Sequence, residues 1–392
     1  MTHVKDALQG YIELDDEETQ VIDSPEMQRL RRIQQLDGAD LVYPSATHTR
    51  FQHSLGVMHL AGKFAESLDL DDERQKELRI AALLHDSGHG PFSHASELVA
   101  EKHGRSHEDF SCEVVDSLEK RYSVDPERVK RIIRGELEIG QVVAGDIDAD
   151  RMDYLMRDAH SSGLEHGHID ADTIIRLAEI DSRRLVFSSK AVQALESLLT
   201  SRFHMYKTLY MHHTVVIVRK MLERALEDFA GREGVEELMS MDDRTAHTRL
   251  LEAGGDAEKL YSRVTERRLF KRALVWDEHD LERESLKTLE DQIDEPGKLE
   301  ERIAEEAGVE PRHVIVDPPQ TPEIQDINVK VKKKGEVMNL SELSPVPEAL
   351  TDAEWRTVSM NVYTPEEHIP AVKEAASEVL SDYTRVLGKY ID

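Results

Sequence analysis

The chain has 392 residues, of which 79 are acidic and 50 basic, a formal net charge of −29. Such an excess of carboxylate disfavours a general binder of nucleic acid or anionic membranes, though it is compatible with a local basic pocket. Cys112 is the only cysteine, which excludes an intrachain disulfide and a thiolate metal cluster. No run of about 18 apolar residues marks a membrane span, and the N-terminus lacks the basic start and apolar core of a signal peptide. A cytoplasmic protein is expected.

In chain order, the first clear helix signal is SPEMQRLRRIQQL, with Ser24 as N-cap, Pro25 at the first helical position, and Met27, Leu30, Ile33 and Leu36 recurring at near-helical spacing. Further helices are expected at GVMHLAGKFAESL, ERQKELRIAALLHD, HEDFSCEVVDSLEKR, VQALESLLTSRFHMYKTLYMHHTVVIVRKMLERALEDF and MDDRTAHTRLLEAG, with one strand, RRLVFSS, around Leu185. After Pro311 the pattern changes to β-branched alternation in HVIVDPP, DINVKVKKKGEVMNL and WRTVSMNVYTP. A final amphipathic helix, EEHIPAVKEAASEVLSDYTRVL, follows. The expected fold is mainly α, with a helical core over residues 1–230, a helical extension over 231–309 and a small α+β lobe over 310–392. The KVKKKGE run reads as a solvated hairpin.

Four short blocks carry the chemistry: HTRFQHSLG with His48 and His53, LLHDSGHGPFSH with His85, Asp86, His89 and His94, RSHEDF with His107, and AGDIDADRMDYLMRD with Asp146, Asp148, Asp150, Asp153 and Asp158. Imidazole and carboxylate without sulfur make a mixed nitrogen and oxygen metal site, suited to manganese, iron, nickel, zinc or magnesium. Neighbouring helical residues point about 100° apart. His85 and Asp86 therefore converge on one ion only at a deep, well-packed position, which the apolar run IAALL supplies. Gly88, Gly90 and Pro91 then break the helix and let His89 and His94 turn back toward the same cavity.

His53 within RFQHS, His85-Asp86 and Asp150 within DADRMDY resemble the metal-ligand motifs of the HD-domain phosphohydrolases. Within that family the chain is similar to deoxynucleoside triphosphate triphosphohydrolases of the SAM-and-HD-domain type, without the SAM domain. The resemblance implies an HD-domain helical core, with His53, His85, Asp86 and Asp150 holding a divalent metal and a second magnesium able to accompany the triphosphate. It implies catalytic roles for His89, His94 and His107 around the scissile phosphorus, with His94 or His107 as proton donor. Glu97 stands where the family carries an aspartate, one methylene shorter. The resemblance further implies that Arg50, Arg151 and Arg202, with Tyr154 nearby, bind the phosphates, that Gln35 and Asp158 hold the sugar 3′-hydroxyl, and that Leu36 and Tyr210 pack against C2′.

The same resemblance assigns Asp23, Gln28, Arg31 and Arg267 to a site for an activating nucleotide, which His212 and Lys190 partly adjoin. Thr173 and Ala194 depart from the second pocket of that site. A homo-oligomer, tetramer favoured, is expected. Two other readings stay open: an HD-type nucleotide phosphatase or phosphodiesterase, and a nucleotide-sensing scaffold with a vestigial site, which the four filled ligand positions disfavour.

Overall fold

The computed structural model describes residues 2–277, 281–293, 295–320 and 328–385. It opens with a hairpin of β1 (Thr2–Asp6) and β2 (Gly10–Leu14), turned by Asp6, whose carboxylate accepts from the N–H groups of Leu8 and Gln9 at 2.9 and 2.8 Å. The helices α1 (Asp16–Ile22), α2 (Pro25–Arg29), α3 (Arg50–Ser67), α4 (Asp72–Leu84), α5 (His94–Lys102), α6 (His107–Ser117), α7 (Pro126–Ile133) and α8 (Ala149–Ser162) follow. Their starts are written in the sequence. Ser24, Asp71, Ser106, Asp125 and Asp148 each accept a backbone N–H from the following turn, and Pro25 and Pro126 occupy first helical positions.

Next come α9 (Ala171–Arg176), β3 (Ala178–Asp181), β4 (Arg184–Ser188), α10 (Val192–Met205), α11 (His213–Glu233), α12 (Val235–Ser240), α13 (Asp243–Glu252) and α14 (Gly255–Thr265). The chain continues through β5 (Lys271–Trp276), α15 (Arg283–Gln292), α16 (Pro296–Ala307), β6 (Ile315–Asp317), β7 (Lys330–Lys333), β8 (Glu336–Asn339), α17 (Val346–Trp355), β9 (Met360–Thr364) and α18 (Ile369–Arg385). The described part is mainly α, as expected.

Four local expectations are corrected. The SPEMQRLRRIQQL helix stops at Arg29 in a 3-10 turn, and Ile33 is extended, so that Gln34 bridges Thr49. The long helix through residues 192–229 breaks at a π-helical turn, Tyr206–Tyr210, and restarts at His213. The span 231–309 is not wholly helical: β5 pairs antiparallel with β9, which also pairs with β6. The β7–β8 hairpin does not stay within a separate C-terminal lobe, because β7 runs parallel to β4 and extends the sheet β3-β4-β7-β8. Residues 326–327 of the expected strand segment and 386–387 of the expected last helix lie outside the described residues.

The central apolar cluster joins α3, α4 and α8 with the buried face of the β7–β8 hairpin, where Val329, Val331 and Leu340 are buried. A second cluster packs α5 against α11 and α14, and a third joins β5, β6 and β9 with α15, α16 and α18. Arg224 of α11 reaches α16 and donates to Glu300 at 2.6 and 2.8 Å, while Glu300, 3% exposed, also accepts the Val316 N–H at 2.9 Å. Burial raises the Glu300 pKa. Arg224→Ala leaves that carboxylate short of a partner and should cost about 1–3 kcal/mol. Denaturant unfolding checks this, with Arg224→Lys expected to recover part of the loss.

Candidate metal centre and active site

The turn between α4 and α5 carries most of the candidate site, and it is held from several sides. Ile80 to Leu84 are at most 2% exposed, which fixes the end of α4, with His85 as its C-cap. Ser111 of α6 donates its hydroxyl to the His85 carbonyl at 2.6 Å and accepts the Gly88 N–H at 2.9 Å. A Cβ on Gly88 would lie 2.3 Å from the His107 carbonyl oxygen, so only glycine allows this packing. Arg29 donates to the carbonyls of Ser87 and His89 at 2.9 and 2.8 Å, and to those of Met241 and Met239 at 2.7 and 3.2 Å. Phe92 and Ser93 then take left-handed φ values of 55° and 42°, a conformation that costs about 1–3 kcal/mol per residue and persists only where the surroundings impose it.

His53, one turn into α3, meets His85, Asp86 and Asp150. Its Nε2 lies 2.8 Å from Asp150 Oδ1 and 3.5 Å from Asp86 Oδ2. His85 Nε2 lies 3.3 Å from Asp86 Oδ1 and 3.7 Å from Asp150 Oδ1. Both Nε2 atoms are buried and neither has an aligned hydrogen-bond partner among the described residues. Their Nδ1 atoms are committed elsewhere: His53 Nδ1 to Asp153 at 2.9 Å, and His85 Nδ1 to the Ala82 carbonyl at 2.8 Å. Two imidazoles so oriented, with carboxylates at their free nitrogens, fit a divalent cation bound by nitrogen and oxygen. Burial opposes a charge on His53, but Asp150, Asp153 and Asp86 outweigh it and hold its pKa up at about 10. Asp86 is held well below the carboxylate range, against its burial, by His85, Arg50 and His89. The Asp150 carboxylate is 35% exposed and forms the open side of the centre.

Asp153 has the most developed support of any residue at the centre. Arg157 donates to both of its oxygens at 2.8 and 3.0 Å and to Asp6 of the N-terminal hairpin at 2.9 Å. All three side chains are at most 7% exposed. Gly56, one turn beyond His53, admits this pair, because a Cβ there would lie 1.9 Å from Asp153 Oδ1.

A second cluster adjoins the first. His89 stacks on His107 with ring centroids 4.3 Å apart, and its Nε2 lies 3.5 Å from Asp86. Glu97 accepts from His94 Nδ1 at 3.1 Å with one oxygen and pairs with His107 Nδ1 through the other. Burial, Arg50 and His107 push the His89 pKa down to about 3, whereas Glu97 and Asp86 overcome burial and raise that of His107 to about 9. Arg50 donates to Asp86 at 2.6 Å and to Ser93 at 2.9 Å, and its Nη2 is buried without a hydrogen-bond partner among the described residues.

The residues expected at a sugar form one linked wall. The Gln35 N–H donates to the His48 carbonyl at 3.0 Å, His48 Nε2 lies 2.8 Å from Asp158 Oδ1, and the Tyr210 hydroxyl donates to Asp158 Oδ2 at 2.6 Å. Leu36 and Tyr210 line one small cavity with His94 and Arg219. Tyr154 stands edge-on to Tyr210 at 6.3 Å. Its pKa is raised by burial to about 12, against the pull of Arg151 and Arg202. Arg202 also lies 3.6 Å from Glu354.

Of the positions expected to bind an activator, Asp23, Gln28 and Arg31 are neighbours in the fold. Gln28 donates to the Ile22 carbonyl at 2.8 Å and accepts from Arg31 at 2.9 Å, and Arg31 lies over the Phe51 ring at 3.6 Å. Arg267 makes its contact with the Leu41 carbonyl, at 3.1 Å. His212 caps α11 and Lys190 lies in the turn before α10. Sequence reasoning missed the roles of Asp6, Arg29, Arg157 and Asp243. It saw Asp153 only as one aspartate of a block, although its spacing of three from Asp150 places both on one helix face.

Gly56→Ala should displace Asp153 and release His53. Loss of such an outer hydrogen bond costs about 10–100-fold in metal affinity, so metal retained after dialysis against a weak chelator should fall while helix content measured by circular dichroism is kept.

Residues 50–158 match the HD domain and residues 169–384 the HD associated region. An uncharacterized protein of Methanocaldococcus jannaschii is 36% identical, across 100% of this chain and 87% of its own length. The deoxynucleoside triphosphate triphosphohydrolase SAMHD1 homolog of Dictyostelium discoideum is 31% identical across 57% of this chain, which spans about half (49%) of that relative's length. The crystal structure of a phosphohydrolase from Bacteroides thetaiotaomicron superposes with a TM-score of 0.74 at 26% identity, covering 93% of this chain and 100% of that one. No helix among the described residues is long and apolar enough to cross a membrane. The buried His-Asp centre and the matched regions agree: the chain belongs to the HD-domain phosphohydrolase family, with an HD-associated region completing its fold.

Proposed function

We propose that the protein is a metal-dependent hydrolase of deoxynucleoside triphosphates, releasing deoxynucleoside and inorganic triphosphate. The observation that carries this reading is the wall of Gln35, Leu36, His48, Asp158 and Tyr210 beside the His-Asp centre. Each Asp158 oxygen already accepts one hydrogen bond and retains a lone pair for a sugar 3′-hydroxyl. Leu36 and the Tyr210 ring face the position of C2′ with carbon, so a ribose 2′-hydroxyl would lose water there without gaining a partner. The SAMHD1 homolog of Dictyostelium discoideum, named for this activity, supports the same substrate class.

In this reading His53, His85, Asp86 and Asp150 hold the divalent cation, which when bound supplies an activated water and neutralises phosphoryl charge. Arg50 offers its unpartnered Nη2 to a phosphate oxygen, and Arg151 and Arg202 extend that cationic lining along the triphosphate. Water attacks the α-phosphorus and the bond to O5′ breaks, its electron pair leaving on that oxygen, which takes a proton from His94 or His107; the protons lost by the attacking water restore that histidine and pass to solvent. Glu97 anchors both of these rings by Nδ1. The raised pKa of His107 keeps it protonated at neutral pH, while His89 stays neutral. Asp23, Gln28, Arg31 and Arg267 belong, in the same reading, to an activator site completed in a cytoplasmic homo-oligomer, tetramer favoured.

Incubation with each dNTP and NTP in manganese, with and without a second nucleotide, should yield deoxynucleoside and intact triphosphate by ion-exchange chromatography, and Asp150→Ala should lose turnover together with bound metal. Orthophosphate as the product would overturn the reading in favour of another HD-type phosphatase. Tyr210→Ala should reduce the dNTP-over-NTP ratio of kcat/KM by about tenfold or more, read from paired steady-state assays.

A further inference from the structure

Asp243 is the first residue of α13, in the HD-associated region, and lies 151 positions from Phe92 in the chain. Its two oxygens point to two different segments of the catalytic half. Oδ1 accepts the Phe92 N–H at 2.8 Å and Oδ2 accepts the Gln34 N–H at 2.9 Å. Phe92 opens the left-handed turn that delivers His94, and Gln34 precedes Gln35 and Leu36. The two segments are also tied to each other, since the Ser93 hydroxyl donates to the Gln34 carbonyl. Tyr261 of α14 supports the same turn from the side, its ring centroid 5.7 Å from that of Phe92.

Neither segment supplies this bond for itself. A turn with two consecutive non-glycine residues at positive φ has no local reason to persist, and Gln34 lies where a helix has just ended. A half-buried carboxylate between two backbone N–H groups fixes their relative position. A neutral amide of the same size has one acceptor oxygen and must turn its NH2 toward one of the two donors.

We propose that Asp243 is a positioning residue by which the HD-associated region sets His94 against the Gln35–Leu36 wall. It touches neither substrate nor metal. It acts through the turn, and its effect on turnover rests on the role proposed above for His94. Asp242 is the natural control, because it caps the same helix through Thr245 and pairs with Arg32 but makes no bond to the turn.

The test compares wild type, Asp243→Asn and Asp242→Asn by hydrogen-exchange mass spectrometry of the full chain, followed by steady-state kinetics with dNTPs in manganese. Asp243→Asn should raise exchange in peptides covering 33–38 and 86–96, leave α11 protected, retain metal, and lower kcat about 10–100-fold with a smaller change in KM. Asp242→Asn should lower the melting temperature without opening the 86–96 peptide. Unchanged exchange in both peptides would overturn the inference, as would equal opening in the two variants or an unchanged kcat in Asp243→Asn. If wild type turns over no dNTP, the substrate reading fails, and the exchange pattern alone decides the role of Asp243.

Discussion

Everything at the centre follows from one electrostatic constraint: Asp86, Asp150 and Asp153 converge on the single buried ring of His53. Carboxylates so placed need cations or hydrogen-bond donors, because the Coulomb repulsion between them is poorly screened away from water. Each receives its own counterpart. Arg50 serves Asp86, Arg157 serves Asp153, and Asp150 keeps a solvent-facing side. The same carboxylates raise the pKa of His53 to about 10 and raise that of His85 above its ordinary value, both against burial. A divalent cation held by these groups would compete with protons for the same nitrogens and supply the same compensating charge.

That constraint spreads outward through backbone geometry. Gly56 must lack a Cβ for Asp153 and Arg157 to reach α3, and Asp6 must sit at the hairpin turn to accept from Arg157. The N-terminal hairpin, remote from the candidate chemistry by sequence, therefore helps to orient the His53 imidazole. Arg29 works in the same way on the turn after His85, taking up carbonyls that the break in α4 leaves without helical partners.

How far these features were legible in the sequence depended on the range of the interactions. His53, His85, Asp86 and Asp150 stand in dense motifs on helices whose caps and apolar spacing are local, so both the residues and their scaffold could be read. The hairpin at residues 2–14 and strand β5 were not read, because short charged strands such as KRALVW alternate weakly and are made by their partners; β5 exists because β9 pairs with it. The break at Tyr206–Tyr210 was hidden by continuous helical periodicity on both sides, although it is what brings Tyr210 to Asp158. Asp243 and Arg29 act across more than 50 residues of chain through backbone groups, which leave no pattern in side-chain spacing.

Glu97 shows how a local departure from a family pattern is absorbed. On sequence grounds a carboxylate one methylene longer can still orient a histidine but changes the geometry at which it does so. In the fold, the longer side chain reaches from the first turn of α5 across to the start of α6, so one carboxylate bridges His94 and His107 by separate oxygens. Each imidazole is thereby anchored through Nδ1 on one acid, which fixes its ring orientation, and His107 Nε2 lies 3.7 Å from Glu108. His94 remains about half exposed while His107 is largely covered and stacked on His89, so the same carboxylate anchors one exposed ring and one covered ring. His89, His107 and His94 lower the Glu97 pKa against its burial, so the carboxylate stays ionised among three imidazoles.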